Sequence, residues 1–154
     1  PPSGQTAAST EIYDGTTWSE LNDLNLGRAS GGGLGTVDAA LYMGGQPTIS
    51  CTEEWNGTSW SEVTNMTTAR ANNQGVGTQN AGLIFGGNPG IATTEEYNGT
   101  SFSTGGSLIT AIFGAGGAVF CGATAAALSF LIAACSFGAS FALAASDLGV
   151  LPKI

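Results

Sequence analysis

Histidine is absent from this 154-residue chain, and the basic side chains number three: Arg28, Arg70 and Lys153. Without histidine, neither a Ser-His-Asp nor a Cys-His nucleophile can be assembled, and imidazole-ligated metal sites are excluded with them. Lys153 stands in no Walker-type loop, and Gly31-Gly32-Gly33 precedes an expected strand rather than opening a helix. A phosphate cradle is therefore not expected. Against 11 acidic residues, the three cations leave a net charge of −8. No basic patch can neutralise a run of phosphates, so nucleic acid is not an expected partner. An anionic membrane surface is disfavoured on the same ground.

Charge of either sign is scarce. Charged residues are 9% of the chain, against about 25% in an ordinary soluble domain. Cysteine is sparse too: Cys51, Cys121 and Cys135 are an odd number at unrelated spacings. They form no disulfide framework and are expected as small buried hydrophobes. The opening Pro1-Pro2-Ser3-Gly4 is no signal-peptide n-region. Because it begins inside a repeat, the chain is expected to be a processed or partial product.

Glycine is abundant, at 25 of 154 residues, beside much Ser, Thr and Asn. With 42% apolar residues this composition describes a turn-rich β protein rather than a disordered segment. At this length the chain is one domain, or a piece of a larger repetitive one.

The sequence repeats with a period of 42. Tyr13, Trp55 and Tyr97 stand in one column; Trp18, Trp60 and Phe102 in a second; Glu11, Glu53 and Glu95 in a third. Arg28 and Arg70 recur at the same spacing, as do Gly44-Gly45 and Gly86-Gly87. A constant period of this size marks one supersecondary unit copied along the chain.

Each unit reads as four short strands. Segments 32–37 and 74–79 are rich in small residues, and 39–43 and 81–85 are apolar and stop at the double glycine. Strands are then expected at 52–55 and 94–97, followed by 59–63 and 101–104. The turns Asp14-Gly15, Asn56-Gly57 and Asn98-Gly99 are expected to be type I′ hairpins. Residues 10–21 supply only the outer two strands of a unit, and a third set begins at Ile112 and loses the pattern. The double glycine is replaced there by Leu128-Ser129.

These features resemble the kelch repeat family: the double glycine closing the second strand, the aromatic in the third, the Trp that follows the acidic pair, and the Arg ten residues beyond. The Gly/Thr-rich wording, Thr-Glu-Glu-Trp-Asn-Gly-Thr-Ser-Trp for example, is also similar to kelch-like repeats of marine phage virions and tail fibres. The resemblance covers roughly 10–107 and implies an all-β fold of four-stranded blades, a partial or oligomer-completed β-propeller. The expected organisation is a repeat region, 1–107, and an apolar degenerate repeat with tail, 108–154.

The tail carries no charge from Tyr97 to Ser146. Residues 127–145 could be a membrane helix, but Ser and Gly make insertion marginal. The favoured reading makes 107–145 a buried assembly segment, since an exposed stretch of this kind would aggregate.

Glu53-Glu54 and Glu95-Glu96 sit on strands, where neighbours face opposite sides, so they are expected as solvated faces and not as acid/base pairs. Arg28 and Arg70 are expected to bond connecting carbonyls or to stack on Trp18 and Trp60, with a role in binding a ligand as the alternative. Tyr13, Trp18, Trp55, Trp60, Tyr97 and Phe102 are expected to pack between units, with Trp18 and Trp60 mostly buried. Exposed, they could stack on sugar rings. The Asn-Gly-Thr sequons at Asn56 and Asn98 are explained by the turns, and Asn65-Met66-Thr67 is a third.

No catalytic residue, metal or cofactor is expected. The expected function is a non-enzymatic structural or adhesive module of a virion appendage or extracellular assembly, with other copies or other proteins as partners. The alternatives are a glycan-binding propeller and a membrane-anchored surface protein.

Overall fold

A computed structural model describes residues 7–114 and the strands Gly116–Val119 and Phe130–Ala133. The described residues form strands and turns and no helix. In order these are β1 (Glu11–Tyr13), β2 (Trp18–Glu20), β3 (Gly32–Gly35), β4 (Ala40–Met43), β5 (Thr52–Trp55) and β6 (Trp60–Glu62). There follow β7 (Gln74–Thr78), β8 (Ala81–Phe85), β9 (Glu95–Tyr97), β10 (Phe102–Thr104), β11 (Gly116–Val119) and β12 (Phe130–Ala133).

They make two four-stranded sheets, β3-β4-β5-β6 and β7-β8-β9-β10, flanked by the two-stranded sheets β1-β2 and β11-β12. Every pairing is antiparallel between sequence neighbours, and the register repeats: Trp55 lies opposite Trp60, Tyr97 opposite Phe102, and Tyr13 opposite Trp18. β3, β7 and β11 begin at Gly32, Gln74 and Gly116, each 42 residues after the last. β12 breaks step. The residues 42 after β8 are 123–127, whereas the strand is Phe130–Ala133.

The hairpin turns differ from type I′, which needs positive φ at both central residues. Here only the glycine takes it, at 100° for Gly15, 89° for Gly57 and 88° for Gly99. The preceding Asp or Asn uses its side chain instead. Asp14 Oδ1 accepts the Thr16 and Thr17 amides at 2.7 and 2.8 Å, and Asn56 and Asn98 repeat the arrangement at 2.9 Å. These donors hold the exposed Asp14 carboxyl below its usual value, the Thr17 amide most of all.

The double glycines have a separate cause. Gly44 and Gly45 sit at φ 69° and 124°, Gly86 and Gly87 at 65° and 121°, a region other residues rarely adopt. A Cβ on Gly45 would stand 2.7 Å from the Ala29 carbonyl oxygen, and one on Gly87 2.8 Å from that of Ala71.

The core lies between the two larger sheets. Leu41, Met43, Met66, Ile84 and Tyr97 are buried together, with Leu34, Val63 and Phe102 packed on them. β3 packs beside β7 and β7 beside β11, so successive units meet through their first strands. Full burial of Leu41, Met43 or Ile84 is worth about 1.5–3 kcal/mol each.

Candidate interaction site

The repeated charged residues come together inside each unit, and their surroundings are dry. Arg28 leaves the segment before β3 and reaches Glu53 on β5; both side chains are about 1% exposed. Its Nε donates to the Gly44 carbonyl at 2.8 Å, Nη1 to Leu26 at 2.9 Å and to Glu53, and Nη2 to Tyr42 at 3.1 Å. Glu53 also accepts the Asn25 amide at 2.7 Å, the Asn25 side chain at 2.9 Å and the Leu26 amide at 3.3 Å.

Arg70 repeats this with Glu95, Nη2 to Oε1 at 2.8 Å, and donates from Nη1 to Gly86 and Thr93 at 3.1 Å. Glu95 accepts Thr67 through its amide and its hydroxyl, both at 2.7 Å, and the Thr68 amide at 3.1 Å. Each arginine–glutamate pair thus ties the connecting segment, the double-glycine turn and the third strand together. Burial alone would raise the Glu53 carboxyl, but donation by Arg28, Asn25 and Leu26 outweighs it and holds the carboxyl below its ordinary value.

Two expectations are corrected here. Glu53 and Glu95 are not solvated strand faces: they are 0% and 1% exposed, because an arginine from the same unit meets each of them. Their neighbours do point the other way, Glu54 half-buried and Glu96 exposed. The arginines bond carbonyls as expected but do not stack on Trp18 or Trp60; Arg28 lies 4.7 Å over the ring of Tyr42. With both guanidiniums buried, neither arginine is offered to a ligand at the surface.

The aromatic columns form three cross-strand pairs. Ring centroids are 5.1 Å apart for Tyr13–Trp18, 5.5 Å for Trp55–Trp60 and 4.6 Å for Tyr97–Phe102. Each of the later two pairs faces the unit before it. Tyr97 sits in the core with Leu41 and Met43, and its hydroxyl donates to Glu54 Oε1 at 2.8 Å. Burial and that carboxylate push the Tyr97 hydroxyl far above its ordinary value. Trp55 is buried and its indole N–H donates to the Val37 carbonyl at 3.1 Å. Trp60 and Phe102 are half-buried.

The first pair breaks the rule, and the expectation that Trp18 is mostly buried is wrong. Tyr13 is 50% and Trp18 66% exposed, because no described residue occupies the place of a preceding unit.

A shallow cavity of about 160 Å³ opens between the β1–β2 hairpin and the first complete unit. Thr10, Glu11, Ile12, Val37, Trp55 and Trp60 are among its walls. The Trp60 indole nitrogen is buried there with no hydrogen-bond partner among the described residues. Cys51 is a half-buried free thiol whose pKa is raised by burial, an unreactive setting. Cys121 and Cys135, and most of the 107–145 segment with its alternative membrane helix, lie outside the described residues; of 127–145 only β12 is described, as a strand. Among the described residues no helix is long and apolar enough to cross a membrane, and no cluster of metal-ligating side chains occurs.

The clamp glutamates, Glu53 and Glu95, were not among the residues the sequence singled out for a site. Their signal was present: Arg28 to Glu53 and Arg70 to Glu95 are both separations of 25 residues, in a chain that is only 9% charged. No protein-family model matches the chain, and no curated protein matches it.

Proposed function

We propose that this chain is a non-catalytic structural module, a kelch-like β-propeller arc that works by joining other copies of itself within an assembly such as a virion appendage or an extracellular fibre. The observation that carries this reading is the bare Tyr13–Trp18 face. The equivalent Trp55 and Tyr97 are 3% and 2% exposed under a neighbouring unit, whereas Tyr13 and Trp18 meet water at 50% and 66%. An exposed aromatic pair of that kind is the chemistry that interfaces are enriched in, which supports the reading. The repeated charges support a structural role, because Arg28, Arg70, Glu53 and Glu95 are spent on internal hydrogen bonds. The test is the mass of the full chain under native conditions: a multiple of 15.3 kDa is expected, and a monomer at all concentrations defeats the reading.

A second reading is favoured by the cavity. Trp55 and Trp60 line it together with Glu11 and Thr10, an aromatic wall beside polar residues, the chemistry that takes a sugar ring. Titration with a panel of oligosaccharides, read by quenching of tryptophan fluorescence, tests it; no change with any sugar removes it.

A further inference from the structure

The two ends of the described structure are complementary halves of one unit. β1 and β2 correspond to β5–β6 and β9–β10, the outer halves of four-stranded sheets. Where β5 carries β4 on its free edge and β9 carries β8, β1 carries no strand among the described residues. At the other end, β11 is in step with β3 and β7 and packs beside β7, so β11–β12 corresponds to an inner half. β12 shows an edge with no partner among the described residues, the edge on which β4 and β8 take β5 and β9.

The side chains match as the edges do. Tyr97 donates to Glu54 on the unit before it at 2.8 Å. Tyr13 is the first member of the column of Tyr97, and Glu96 stands 42 residues after Glu54. Both are exposed.

We propose that these ends join between two copies of this chain. β12 of one copy pairs along β1 of the other to make a composite four-stranded unit. The Tyr13–Trp18 face then seats on the β7–β10 sheet of the first copy, its Tyr13 hydroxyl donating to Glu96 as Tyr97 donates to Glu54. This rests on the structural reading above and names its partner and its contact. Each copy holds two complete units and two halves. Two copies therefore close a ring of six units, within the roughly four to eight that propellers use, and three copies would exceed it. The join is weaker than the links inside a copy, because Ile112 stands where the column carries Arg28 and Arg70. Glu11, the counterpart of Glu53 and Glu95, meets no guanidinium there.

The test is native mass spectrometry and light scattering of the full chain, with circular dichroism confirming that each variant is folded. Wild type is expected at twice the 15.3 kDa chain mass. Trp18→Glu, at a position already exposed, is expected to fall to the chain mass. Ile112→Arg supplies the missing guanidinium to Glu11 and is expected to lower the dimer dissociation constant by about tenfold or more. A dimer indifferent to Trp18→Glu, or an assembly of other stoichiometry, overturns the join and leaves the structural reading standing. A wild type monomeric at every concentration overturns both.

Discussion

Arg70 and Glu95 face each other in a fully buried pocket, Nη2 2.8 Å from Oε1, with 0% and 1% of their side chains exposed. Two desolvated charges hold each other there, and each also bonds backbone groups of the neighbouring turns. The arrangement recurs one period earlier at Arg28 and Glu53.

Removing one member leaves the other charged and unpaired in the interior. Arg70→Ala or Glu95→Ala is expected to cost about 3–5 kcal/mol in urea unfolding. Replacing both is expected to cost much less, because an apolar pair needs no counter-charge. The sequence suggests which pair: 42 residues beyond Arg70 and Glu95 stand Ile112 and Phe137. Arg70→Ile combined with Glu95→Phe is expected to recover most of the loss, and a double variant as unstable as the sum of the singles would refute this.

Acid is expected to loosen the same link. The Glu53 carboxyl lies below its ordinary 4.5 in the folded chain. Its contribution is therefore complete above the unfolded value and is lost as pH falls through the folded one. Thermal midpoints should drop from roughly pH 5 downward, and Glu53→Gln should be less stable at neutral pH with a shallower acid slope. Asp14, also depressed, titrates in the same window, so the difference between the two proteins isolates Glu53.

The aromatic columns separate burial from exposure at nearly constant chemistry. Trp55→Ala should cost about 3–5 kcal/mol in unfolding free energy. Trp18→Ala, measured at a dilution where copies are apart, should change it by less than about 0.5 kcal/mol. Equal losses at the two positions would mean that Trp18 is covered within a single chain.

The double glycines are expected to resist even alanine. Gly45→Ala and Gly87→Ala each force a side chain into positive φ against a neighbouring carbonyl oxygen. A loss of about 1–3 kcal/mol each is expected by chemical denaturation. Gly90, with open space around the position of a Cβ, is the control expected to change little.

The strands and their order were legible because two signals agreed, the 42-residue period and the double glycines and Asp-Gly or Asn-Gly turns that bound the segments within it. All eight strands expected in the two complete units form, within two residues of their expected ends. Two things were not legible. The turn type depends on whether Asp14 and its counterparts bond through main chain or side chain, and a dipeptide composition does not say which. The burial of Glu53 and Glu95 depends on an arginine 25 residues earlier in the chain, so a strand read by itself presents them as surface. Trp18 was misjudged for the opposite reason. Its column is buried elsewhere by a neighbour, and membership of the column does not supply one.

The reach of the arginine clamp also bears on how such a chain can change over evolutionary time. Each clamp closes over 25 residues and engages only its own unit and the segment leading into it. A duplicated stretch of 42 residues would therefore arrive with its own lock, already matched to the copy upstream, and lengthening would need no new distant contacts. A point change at the clamp would cost stability that a whole-unit duplication would not, so a chain of this design is expected to tolerate a change of length better than a change in the residues that hold a complete unit shut.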